Sequence, residues 1–165
     1  MNAFRVIKHL LVPHWVVRRA FPKPTLTAIE QAITASEKQH TGELRFVVEG
    51  GLPLHELWHG HSPRQRAVDL FSQLRVWDTD QNSGILIYVQ WVDHAVEILA
   101  DRGIAARVPQ AEWNAICHSM EAAFKRGDYH IGALTAIERA SQLLAMHFPS
   151  SGGGHNELPD RPLVL

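Results

Sequence analysis

The spacing of apolar positions changes several times along the chain, and each change marks an element. Leu26, Ile29 and Ile33 fall on one face of a 3.6-residue period. Pro24 precedes them, and Thr27 and Glu30 have the spacing of a capping box, so a helix is predicted to begin there. Gly42 is placed to close that helix as a left-handed residue just past its end. The period then drops to two. Leu44, Phe46 and Val48 face one way, Arg45 and Glu49 the other, and Gly50 and Gly51 end the strand. Ser62, Pro63 and Gln65 supply an N-cap, a first-turn proline and a capping-box partner for a second helix, with Ala67, Leu70, Phe71 and Leu74 as its buried stripe. Beyond the polar loop from Asp78 to Gly84 come two strands, Ile85 to Trp91 and Ala95 to Ala100, joined by a tight turn near Val92-Asp93-His94. The first is almost wholly apolar, as expected of a central strand covered on both faces, whereas the second alternates. Pro109 opens a third helix that faces inward through Trp113, Ile116, Met120 and Phe124 and ends at Gly127. A fourth runs from about Tyr129 to His147, with Ile131, Leu134, Ile137 and Leu144 inward, and Pro149 stops it.

The order helix, strand, helix, strand, strand, helix, helix predicts an α/β/α sandwich around a small mixed sheet, because the hairpin makes the last two strands antiparallel. This core occupies residues 25–149. Residues 1–24 form a basic amphipathic segment. Arg5, Lys8, Arg18, Arg19 and Lys23 precede the first acid, Glu30, and Phe4, Ile7, Leu10 and Leu11 recur at helical spacing. Such a segment reads either as a helix packed on the domain or as a surface for an anionic membrane or a membrane-bound protein partner. Residues 150–165, opening with Ser150-Ser151-Gly152-Gly153-Gly154, read as a flexible C-terminal tail.

Composition narrows the function classes. The 165 residues suit one domain, and a formal net charge of -1 gives no field to draw nucleic acid. The single cysteine, Cys117, excludes an intramolecular disulfide and a CxxC metal site, and beside Ile116 it reads as a small buried hydrophobe. No aliphatic run approaches the about 20 residues of a membrane span. Lys8, His9 and His14 interrupt the N-terminal apolar positions where a secretory signal needs them unbroken. The expected location is therefore cytoplasmic, peripheral to the membrane if the basic segment docks there. The sequence contains no GxGxxG, P-loop or GxSxG, so neither nucleotide binding nor serine hydrolase chemistry has support.

Two constellations carry candidate chemistry. Asp78, Asp80 and Asn82 lie in the loop before the central strand, and Asp101 lies just beyond the hairpin's second strand. If Ile85 pairs with residues near Ala100, these four meet at one end of the sheet as hard oxygen ligands for calcium or magnesium. Arg102 beside them suits a phosphate or carboxylate, so Asp101 and Arg102 are the candidate catalytic residues of metal-assisted phosphate-ester hydrolysis. The bland alternative is a set of solubilising loop acids, with Asp101 capping a turn. The second constellation is a literal HExxH, His55-Glu56-Leu57-Trp58-His59. A zinc protease needs that motif inside a long helix, with both histidines on one face and the glutamate activating water. Here Gly60 follows at once and Ser62-Pro63 starts a new helix, so zinc is not the expected cofactor, although His55, His59 and His61 offer adventitious ligands.

Several segments in order resemble the TPM domain, a family that includes a thylakoid-lumen phosphatase and many bacterial membrane-anchored proteins. They are Thr41-Gly42-Glu43-Leu44 leading into the first strand, Ala67 through Leu74, Asn82-Ser83-Gly84-Ile85-Leu86 leading into the second, Val96-Glu97-Ile98 with Gly103-Ile104, and Phe124-Lys125-Arg126-Gly127-Asp128-Tyr129 with Gly132-Ala133-Leu134. Together they cover roughly residues 26–148. The resemblance implies a four-stranded sheet between helices and an acidic surface site for a divalent cation such as calcium, and phosphatase activity has been attributed to some members. This chain departs from the family pattern in carrying Asp101-Arg102-Gly103 where many relatives have a Gly-aromatic-Gly turn. The function expected is a divalent-cation-binding interaction module associated with a membrane-bound partner, and the alternative is a metal-assisted phosphatase.

Overall fold

The three strands expected from the apolar pattern lie side by side in one mixed sheet. In the computed structural model, which describes residues 3–152 and 156–165, β1 (Glu43–Glu49) pairs in parallel with β2 (Gly84–Gln90). β3 (Ala95–Ala100) returns antiparallel beside β2, with Ile85 opposite Ala100. A fourth strand, β4 (Leu163–Val164), adds in parallel to the free edge of β1, and the strand order is β3-β2-β1-β4.

Three helices precede the sheet: α1 (Ala3–Leu11), α2 (His14–Ala20) and α3 (Lys23–Ser36). α4 (Leu54–Trp58) and α5 (Pro63–Gln73) connect β1 to β2, and α6 (Arg102–Ala105), α7 (Gln110–Lys125) and α8 (Tyr129–His147) follow β3. Leu44, Phe46, Val48, Ile85 and Ile87 pack on one face under α3, α7 and α8, against Ile33, Trp113 and Ile137. On the other face Val47, Leu86, Tyr88 and Leu99 meet Ala67 and Leu70 of α5. Each such fully buried aliphatic or aromatic side chain contributes about 1.5–3 kcal/mol, which is why two covered faces commit the chain to a sandwich.

Local signals set several boundaries. Ser62 accepts from the Gln65 N–H while the Gln65 side chain accepts from the Ser62 N–H, a complete capping box at the start of α5. Gly127 ends α7 with φ +84. Other expectations change. α3 begins at Lys23, a turn ahead of the Thr27–Glu30 pair, with Pro22 at the N-cap and no side-chain cap. α3 ends at Ser36, so Gly42 is not its terminator. Gly42 is instead a point of close approach, where a Cβ would meet Leu144 at 2.4 Å. Ile131 is exposed rather than inward.

The largest correction concerns the C-terminal tail. Gly153 and Gly154 lie outside the described residues, as do the first two residues of the N-terminal segment. Residues 156–165, however, fold back along β1. Leu158 is buried, Leu163–Val164 extends the sheet, and the Glu157 and Leu158 N–H groups donate to the Glu43 carboxylate at 3.1 and 3.2 Å. Arg45 donates to the carbonyls of Pro159 and Arg161. This covering segment explains why Glu43 and Arg45 are buried although they alternate with the apolar residues of β1, whereas Glu49 is buried against Arg66 of α5 and Tyr88 of β2.

Candidate functional site

The register brings the expected acidic elements to one end of the sheet. Glu43 opens β1 opposite Gly84, and the Asp101 N–H donates to the Gly84 carbonyl at 2.8 Å, so the starts of β1 and β2 and the exit of β3 are neighbours. The 78–83 loop is locked onto that exit. The Asn82 carbonyl accepts from the Gly103 and Ile104 N–H groups, and a Cβ on Gly103 would meet the Gln81 and Asn82 carbonyls at 2.4 and 2.5 Å. Only glycine permits this approach, which accounts for the Asp101-Arg102-Gly103 turn.

Within this frame the four expected ligands have different roles. Asp101 is buried. Its Oδ1 caps α6 by accepting from the Arg102 N–H at 2.7 Å, and its Oδ2 is shielded from solvent with no hydrogen-bond partner. Asn82 adopts φ +50, and its Oδ1 accepts from Arg102 Nε at 3.0 Å. Asp78 and Asp80 are exposed. Asp78 sits 4.0 Å from Arg75, and the Asp80 N–H donates to the Glu157 carboxylate at 3.1 Å. Asp78, Asp80 and Asp101 do not gather within 4.8 Å of one another, so Asp101 is the inner member of the set and the two loop acids are outer ones.

The same end holds acids that sequence reasoning missed. Glu37, past the end of α3, and Glu43 border an open cleft of about 380 Å³ lined also by Thr34, His40 and Asn156. Burial, reinforced by the neighbouring Glu43 and Asp160, pushes the Glu37 carboxyl up to about 8. Burial raises Glu43 to about 7, against the two backbone N–H groups it accepts from. Among the described residues no cationic side chain pairs with either. At this end Glu37 Oε1, His40 Nε2, Ser83 Oγ and Asp101 Oδ2 are all buried without a hydrogen-bond partner. Asp160, which couples the pair, lies in a segment read as tail, and no local pattern in the sequence announces it.

The HExxH motif does not assemble as a protease centre. α4 has five residues, the His55 side chain is 71% exposed, and His59 Nδ1 donates to the His55 carbonyl at 2.7 Å. Cys117 is partly rather than fully buried, packed against the core, and burial pushes its thiol up to about 12 and leaves it uncharged.

A family model described as TPM domain matches residues 19–143. The chain belongs to the TPM domain family. Among solved structures, the NMR structure of the BA42 protein from the psychrophilic bacterium Bizionia argentinensis is similar at 30% identity with a TM-score of 0.75, covering 86% of this chain and 93% of that one. No curated protein matches. As a TPM domain, the chain carries the family's mixed sheet between helices, and no helix among its described residues is long and apolar enough to cross a membrane.

Proposed function

We propose that this TPM domain is an interaction module that docks on an anionic membrane surface through its N-terminal helices and holds a divalent cation at the acidic end of its sheet. The carrying observation is that α1 packs with its polar side inward. Arg5 and His9, one turn apart, both bond Asp93, at 2.8 and 3.1 Å, and His9 Nδ1 accepts from the Leu52 N–H. Burial lowers the His9 pKa and keeps the ring neutral, in keeping with that acceptor role. Ile7, Leu10 and Leu11 are left exposed, as is Trp15 of α2, with Lys8, Arg18 and Arg19 exposed among them. An apolar stripe framed by cations suits the interface of an anionic bilayer. α2 anchors the arrangement, with Val17 buried in the core beside Phe21.

Support for the cation comes from the unpartnered Asp101 Oδ2, with Asn82 in the adjoining loop and Asp78 and Asp80 as outer acids that do not reach the same point. Calcium or magnesium would supply charge neutralisation there. The Arg102 guanidinium beside Asp101 favours a second reading, metal-assisted phosphate-ester hydrolysis. Hydrolysis of a generic phosphomonoester that disappears in Asp101→Asn would favour that reading.

Liposome co-sedimentation tests the docking proposal. Binding to phosphatidylserine-containing vesicles, weak on neutral ones, should fall about tenfold or more in Ile7→Glu/Leu11→Glu, because each buried aliphatic side chain contributes about 1.5–3 kcal/mol. Equal binding by wild type and double variant overturns the proposal, and absence of binding to lipid alone redirects the search to a membrane-bound protein.

A further inference from the structure

The opposite end of the sheet contains a second set of convergent ligands, built by the turn after α4. Gly60 takes φ +70 as the left-handed residue after the helix, its N–H donates to the Leu57 carbonyl, and the His61 N–H donates to the Glu56 carbonyl at 3.0 Å. This pair of bonds is the Schellman closure, and it folds His61 back over Glu56. α5 then starts at Pro63 and brings Asp69 to the same place. Ligand atoms of Glu56, His61 and Asp69 all lie within 4.8 Å of one another, with His61 Nδ1 3.6 Å from Asp69 Oδ2 and in contact with Glu56 Oε2.

Two independent features point to a ligand between them. Glu56 has a side chain only 7% exposed, and its Oε2 and His61 Nδ1 are shielded from solvent and touch each other, while His55 Nε2 stands 3.1 Å from Glu56 Oε1. A carboxylate oxygen and an imidazole nitrogen that converge in a shielded spot, with a second carboxylate in reach, are ligand atom types for one divalent cation. Charge agrees with geometry. Glu49 and Glu56 share a single guanidinium, Arg66, which is committed to Glu49 by contacts of 2.8, 3.0 and 3.2 Å and reaches Glu56 only at 3.4 Å, and Asp69 adds a third acid beside His61. Formally the cluster is short by two positive charges. His61 and Asp69 are 32% and 40% exposed, so the site has a wall at Glu56 and an open side.

We infer that Glu56, His61 and Asp69 bind a divalent transition-metal ion, with zinc the best match for one imidazole and two carboxylates and a fourth position open to solvent. This set differs from the HExxH reading. It uses that motif's glutamate but replaces both of its histidines with His61 and Asp69, and it shares no residue with the Asp101 end.

Calorimetric titration of the full chain, stripped with EDTA, tests the inference using Zn²⁺ alone, with Co²⁺ as a spectroscopic probe. One zinc per chain is expected, together with visible absorption from bound cobalt. Affinity should drop in His61→Gln and in Asp69→Asn by more than the about 10–100-fold typical of outer-shell changes. The double variant His55→Ala/His59→Ala and Asp101→Asn should bind as wild type does. Both partly exposed ligand variants are checked by circular dichroism, so that a lost fold is not read as a lost ligand, and Glu56→Asp, which keeps the charge but shortens the reach, serves as a third probe. Absence of zinc binding, binding unchanged in His61→Gln and Asp69→Asn, or binding abolished by His55→Ala/His59→Ala would each overturn the inference.

Discussion

The two ends of the sheet contain similar acids and treat them differently. At the end where β1 begins, half-buried Glu37 and buried Glu43 lie beside one another with no cationic partner among the described residues, and both carboxyls are raised towards neutrality. At the end where β1 finishes, Glu49 is buried just as deeply. It is met by the Arg66 guanidinium and by Tyr88 Oη, which donates at 2.6 Å, while Asp93 is held below the usual carboxylate range by its bonds to Arg5 and His9, despite its burial. A buried carboxylate needs a counter-charge, a proton or a metal ion. At the Glu49 end, guanidinium groups from α5 and α1 meet Glu49 and Asp93 and pin those helices to the sheet, and the shortage of counter-charge is confined to the Glu56–His61–Asp69 cluster beside them. The Glu43 end leaves oxygens open, which is what a cation-binding surface requires.

The contrast is broken most severely by removing the cation at the paired end. Arg66→Met leaves Glu49 buried and uncompensated and should cost about 3–5 kcal/mol of stability in urea unfolding. Adding Glu49→Gln should restore much of that loss, since the two residues form one unit. The next effect in size concerns the covering segment. Leu158→Ala should cost about 2 kcal/mol, at the low end of core truncations because the residue sits in a small satellite cluster. A loss below about 0.5 kcal/mol would return residues 156–165 to the status of a tail.

That segment shows where the sequence was legible and where it was not. α5 and α8 could be read from local chemistry, because a capping box, a left-handed glycine and a 3.6 period act within a few residues of each other. β2 was legible because a strand covered on both faces is apolar throughout. The start of α3 was misplaced because the chain used a first-turn proline at Pro24 where a side-chain cap was equally plausible locally. The polar face of β1 looked solvent-facing because its partners lie more than a hundred positions away, at Glu157 to Arg161. Among site residues, Asp101 and its meeting with the 78–83 loop followed from the hairpin register. The Glu37–Glu43–Asp160 group and the approach of Asp69 to His61 depend on packing between elements, for which a single sequence has no local signal.

A smaller effect separates the ends by pH. An acid whose folded pKa is raised keeps its proton in the native state after the unfolded chain has lost it, so stability falls as pH rises from the unfolded value through the folded one and levels off above it. For Glu37 and Glu43 that window runs from about pH 4.5 to about 8. Glu37→Gln should flatten the fall and raise the melting temperature at pH 8, where each kcal/mol is worth about 2–4 °C. An unchanged pH profile would show that Glu37 is solvated. The smallest effect belongs to the loop. Asp78→Ala, with its 4.0 Å contact to Arg75 exposed, should change stability by less than about 0.5 kcal/mol.

The most direct test of the account is a thermal melt of EDTA-treated protein titrated separately with calcium and magnesium. A ligand of the folded state stabilises it by about 2.7 kcal/mol at a hundredfold excess over Kd. The account predicts a rise in melting temperature with calcium or magnesium that is lost in Asp101→Asn and retained in His61→Gln, and no rise with either ion, or a rise that survives Asp101→Asn, would contradict it.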